Sequence, residues 1–131
     1  MTQKEKQLLL KDLCARLPYL VIGLYQWKGN VPFDRELDGR LYDELYLSLY
    51  STGDSSFKPY LRPMSSMTEE EKKEFQACHC VYELHPDFQP MMCNLANELN
   101  MFDWLLSHHF DFRGLIEKGL AIEAPEGMYD R

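Results

Sequence analysis

Apolar and polar positions follow two different periods along this chain, and the changes of period mark its elements. Over Gln3 to Leu17, Leu9, Leu10, Leu13 and Leu17 recur at spacings of three and four, opposite Lys4, Lys11 and Asp12. That spacing predicts an amphipathic helix with its leucine stripe turned to the core. Pro18 closes it, because a proline ring pushes the residue before it out of the helical region. Tyr19 to Trp27 is short, apolar and contains β-branched and aromatic residues, which predicts a strand. Lys28-Gly29-Asn30 supplies the turn after it.

A second turn is expected at Asp38-Gly39, since both residues tolerate the positive φ of a two-residue hairpin. Val31 to Leu37 precedes it and Arg40 to Tyr50 follows. In the latter, Leu41, Leu45, Leu47 and Leu49 alternate with Tyr42, Glu44, Tyr46 and Tyr50. Period two predicts a strand with a leucine face for the core and a tyrosine face half exposed. Leu37, Leu41, Leu45 and Leu49 are also four apart, so a helix competes for the segment; the strand is the favoured reading. Tyr42, Tyr46 and Tyr50 form the candidate binding row, although cross-strand packing accounts for them without a ligand.

Ser51 to Ser56 reads as a polar loop, and Phe57 to Pro63 as extended chain because Pro59 and Pro63 fix its backbone. Thr68 opens the next helix, its hydroxyl capping the first turn while Glu71 reaches back. Glu69 to Glu71 suit the positive end of the helix dipole, and the helix should fade before Pro86. Pro90 fits the first position of a further helix, along which Met92, Leu95, Leu99, Phe102 and Leu106 make an apolar seam ending near His108-His109. Arg113-Gly114 reads as a turn, with Asp103, Asp111 and Arg113 available for a buried ion pair beneath it. The expected fold is α+β: an N-terminal helix, a small antiparallel β-meander and two C-terminal helices packed on the sheet, within a single domain over residues 1–131.

Composition narrows the function classes. A hydrophobic content of 45% belongs to a globular chain. The longest apolar run, Tyr19 to Tyr25, is far short of the ~20 residues of a membrane helix. The charged N-terminus lacks the unbroken apolar stretch of a secretory signal, so a cytoplasmic protein without a membrane partner is expected. A net charge of −7 with scattered basic residues argues against nucleic acid as a partner. The one local exception would be a patch made by Lys58, Arg62 and Arg113.

Cys78-His79-Cys80 is one residue too tight for a zinc knuckle, although His85 and Cys93 could complete a site. Reduced thiols acting as small hydrophobes explain the cysteines more simply. On a helix the adjacent His108 and His109 point about 100° apart and do not share a metal. His79 and Glu83 share a helical face but are too few to specify a site. No phosphate loop, dinucleotide fingerprint or nucleophile elbow occurs. No catalytic residue, cofactor or metal is therefore assigned.

Three blocks are more specific than composition: LKDLCARLPY from Leu10, KPYLRPMSSMT from Lys58 and DFRGLI from Asp111. Together they resemble a family of small uncharacterised proteins from gut Bacteroidales genomes and their phages or mobile elements. The resemblance implies a phage-associated or mobile-element accessory protein, with these blocks as framework and Leu20 to Ser56 as the variable, partner-facing part. It carries no assigned reaction. The leading reading is a non-enzymatic protein-binding or regulatory protein with an unidentified protein partner. A metal-dependent enzyme or zinc-binding module using Cys78-His79-Cys80 is the alternative, and a nucleic-acid-binding regulator the second. Oligomeric state is left open.

Overall fold

The computed structural model describes residues 1–77 and 90–129. Helix α1 (Gln3–Arg16) begins at a reciprocal cap, in which Thr2 Oγ1 accepts from the Glu5 N–H at 3.1 Å and Glu5 Oε1 accepts from the Thr2 N–H at 2.9 Å. It ends in a short 3₁₀ turn, Leu17–Tyr19, that contains Pro18. Strand β1 (Ile22–Trp27) follows, and Lys28 and Gly29, both at positive φ, turn the chain towards β2 (Phe33–Glu36). The two strands pair antiparallel from Ile22↔Glu36 to Tyr25↔Phe33.

The next element departs from the favoured reading. Residues Gly39–Leu47 form helix α2, which runs on into a wider π turn, Ser48–Thr52. Asp38 makes no hairpin; its Oδ1 accepts from the Leu41 N–H at 2.7 Å and caps α2. Leu37, Leu41 and Leu45 are buried in one stripe, while Leu47 is 62% exposed. A strand would have put Leu47 on the leucine face, so the four-residue spacing prevails over the alternation.

Strand β3 (Ser55–Leu61) pairs antiparallel with β1, from Gly23↔Pro59 to Trp27↔Ser55. A short β4 (Ile122–Glu123) then adds parallel to β3, giving a mixed four-stranded sheet in the order β2-β1-β3-β4. The antiparallel arrangement expected from sequence thus holds for three strands. The fourth arrives after the long helices, and a crossover of that length permits parallel pairing.

On the inner face of the sheet Tyr25, Phe57 and Leu61 pack with Leu9 and Leu13 of α1, Leu41 and Leu45 of α2, and Leu115 and Leu120. Gly23 is required there: a Cβ would collide with the Phe57 ring. Helix α3 (Glu69–Ala77) starts at the expected Thr68–Glu71 cap, and α4 begins at Pro90 as expected (Pro90–Ser107). The apolar seam of α4 is only partly core. Leu105 and Leu106 are buried, but Leu99 and Phe102 are exposed, Phe102 resting on Phe112 at 5.4 Å. The last turn of α4 meets the rest of the chain, Trp104 stacking on Phe110 at 5.7 Å.

Asp12 does not face solvent; it and Arg16 are fully buried. Arg16 Nε donates to Asp12 Oδ2 at 2.6 Å, and Arg16 Nη2 donates to Asp12 Oδ1 at 3.2 Å and to the Phe110 carbonyl at 2.7 Å. Arg113 Nε reaches the same carboxylate at 3.2 Å. The ion pair expected within the C-terminal turn therefore forms with α1 instead. Asp111 accepts the N–H groups of Leu115 and Ile116 at 2.9 and 3.0 Å, and Asp103 is exposed. Gly114, at φ 72°, makes the expected turn.

The sheet is closed from the far end of the chain. Val21 O accepts from Leu37 N, so odd residues of β1 bond β2 and even ones face β3. Ile22 should then pair with Tyr60, one step beyond Gly23↔Pro59. The Tyr129 hydroxyl occupies that gap, accepting from the Ile22 N–H at 3.0 Å and lying 2.7 Å from the Tyr60 carbonyl, to which it donates.

Candidate functional site

The tyrosine row lies on α2 and the turn that continues it, at helical spacing, rather than on a strand face. Tyr42 is half-buried beside Cys14, and burial pushes its hydroxyl pKa up. Tyr46 and Tyr50 are 51% and 41% exposed, their rings 5.1 Å apart, with the exposed Leu47 beside them. The structure therefore keeps two of the three candidate residues on the surface and turns the third towards the core.

Cys78, His79, Cys80, Glu83 and His85 fall outside the described residues, as does the side chain of Cys93. Among the described residues no three His, Cys, Asp or Glu side chains gather into a metal-holding group. No described helix is long and apolar enough to cross a membrane. Of the basic trio, Arg62 is paired with Glu71, and Arg113 shares the Asp12 carboxylate with Arg16, so the three do not gather into one patch of unpaired cations.

A larger concavity lies elsewhere, where the first and second sequence blocks meet the end of α4. A cavity of about 650 Å³ is lined by Tyr19, Arg62, Glu71, His108, His109 and Tyr129 among others. A second, of about 560 Å³, shares Arg62, Glu71 and Tyr129 and adds Glu123 and Glu126. The shared residues are the wall between two halves of one groove.

That wall is held from several directions. Arg62 follows β3; its N–H donates to His109 O at 2.7 Å, and its carbonyl accepts from Asp111 N at 2.8 Å. Its guanidinium lies 4.2 Å over the Phe110 ring and makes two 2.7 Å hydrogen bonds to Glu71. These bonds lower the Glu71 carboxyl to about 2, against the cost of burial. Glu71 also accepts from the Thr68 N–H, so one carboxylate caps α3 and fixes Arg62. His109, at φ 63°, ends α4 and stacks on Tyr129 at 3.7 Å. Burial pushes the Tyr129 hydroxyl up to about 12.

Ser107 and His108 look at first like a nucleophile and its base. Ser107 Oγ is 3.1 Å from His108 Nδ1, but Nδ1 is also 2.9 Å from the Trp104 carbonyl. A carbonyl only accepts, so Nδ1 carries the proton and cannot take one from serine. Ser107 donates to the same carbonyl at 2.9 Å. Its oxygen is not activated, and the remaining nitrogen, Nε2, faces Glu74 at 3.8 Å.

Sequence reading singled out Arg62 and the histidine pair without joining them to Glu71 and Tyr129. Glu71 was hidden by its cap role, which explained it fully on local grounds. Tyr129 gave no periodic signal, lying in a turn near the end of the described chain. Compared with protein-family models, curated proteins and solved structures, the chain matches none.

Proposed function

We propose that this chain is a non-enzymatic accessory protein of a phage or mobile element that binds another protein in the cytoplasm through the exposed end of α2. The observation that carries this reading is the surface cluster of Tyr46, Leu47 and Tyr50. Aromatic side chains offer large contact area at low entropic cost and are frequent interface anchors. The cluster lies in the segment that the resemblance assigns to the variable, partner-facing part, whereas Asp12, Arg16, Arg62 and Arg113 of the framework blocks are used internally. The locked tautomer of His108 and the unactivated Ser107 argue against a hydrolytic alternative.

Immobilised wild-type protein and a Tyr46→Ser/Tyr50→Ser variant, exposed to lysate of a gut Bacteroidales host, test the reading. A partner retained by the wild type and lost by an equally stable variant is expected. An identical set of proteins on both, or nothing above background on either, overturns it.

A further inference from the structure

The groove on either side of Arg62, Glu71 and Tyr129 is separate from the α2 cluster, and its chemistry selects one kind of occupant. We infer that it takes a cationic, arginine-bearing peptide segment of a partner protein. Each half exceeds the ~300 Å³ at which ligand pockets begin. The single arginine in the wall is spent: both its terminal nitrogens are bonded to Glu71, so the pair contributes no net charge. Glu123 and Glu126 are exposed and form no ion pair with any described residue. An anion entering here would meet their carboxylates with no unpaired cation among the described lining residues to offset them, and the chain as a whole carries −7.

The opposite half is lined by the rings of Tyr19, His108 and Tyr129, with Trp104 stacked on one face of His108 and His109 on one face of Tyr129. Guanidinium groups stack on such faces and bond carboxylates in pairs, which a lysine ammonium does less well. The protein uses this contact on itself, with Arg62 over Phe110 and Arg35 over Tyr25 at 4.2 and 5.0 Å. Carboxylates in one half and aromatic faces in the other, divided by Tyr129, match an extended segment with more than one arginine.

The test is fluorescence anisotropy with a labelled peptide of alternating arginine and glycine, alongside lysine and glutamate counterparts. Saturable binding at low salt is expected in the order arginine, lysine, with none for glutamate. Glu123→Gln/Glu126→Gln should weaken the arginine peptide about tenfold, the worth of two exposed ion pairs, with no change in melting temperature. No binding of the arginine peptide at low salt, or equal affinity for the double variant, overturns the inference. The Tyr46→Ser/Tyr50→Ser protein should bind the peptide as the wild type does. Loss of binding there would move the peptide to α2 and overturn the groove, while failure of the α2 reading leaves this measurement unaffected.

Discussion

Helices α1 and α2 invert the ordinary rule of burial in opposite ways. In α1 two charged residues, Asp12 and Arg16, are sealed from solvent; in α2 and its following turn Tyr46, Leu47 and Tyr50 stand in it. Arg113 and the Phe110 carbonyl bond the charged pair from the C-terminal side, although Arg16 Nη1 is buried with no hydrogen-bond partner among the described residues. The pair so works as a joint between the start of the chain and segment 110–113. The aromatic cluster has no such internal use. One inversion holds the molecule together, and the other leaves a surface for something else.

Breaking the joint should produce the largest effect. Asp12→Asn leaves Arg16 buried without its countercharge and should cost about 3–5 kcal/mol in urea unfolding. A loss under about 1 kcal/mol would show that the pair is not a joint. Next comes Tyr129→Phe, which strands the Ile22 N–H and Tyr60 carbonyl and should cost about 1–3 kcal/mol. Its sign with pH is fixed by the raised hydroxyl. The stability it lends is complete below the ordinary tyrosine value of 10.0 and is lost as pH rises through about 12. The phenylalanine variant should lack that alkaline slope.

A smaller effect belongs to Glu71→Gln, about 1 kcal/mol after allowing for solvent screening of the pair. Glu71 has the opposite sign: its contribution is present above the ordinary value of 4.5 and fades as pH falls towards about 2. Acid unfolding of wild type and variant should therefore converge across that window. Smallest of all, Tyr46→Ser/Tyr50→Ser should change stability by no more than about 0.5 kcal/mol. A loss as large as that of Tyr129→Phe would turn the exposed cluster into a packing element and erase the contrast.

What the sequence made legible was local. The Thr68–Glu71 cap and the start at Pro90 each depend on a few neighbouring residues, and each was found where expected. Helix α1 does end before Pro18, but Leu17 keeps helical angles and a 3₁₀ turn runs on to Tyr19. Alternation over residues 40–50 misled, because leucines four apart satisfy a strand and a helix equally. The deciding feature was the Asp38 side chain, read as a turn residue when it was a cap. The α4 seam misled for another reason: periodicity shows that a helix has an apolar face, not how far along it the core extends. Burial of Asp12 was invisible, since one partner is four residues away and the other 101. The groove was hidden likewise, its wall joining residues 62, 71 and 129.

The hydroxyl of Tyr129 gives the fold a clock. The gap exists once Tyr60 has been made, and Tyr60 lies 69 residues before Tyr129, a distance a ribosome covers in about 3–14 s. For that interval a nascent β1 and β3 present an unfilled position where their ladder should continue. Sealing of the sheet is consequently an event that follows synthesis of residue 129, and a chain stopped short of it would carry an open seam that chaperones and proteases can recognise.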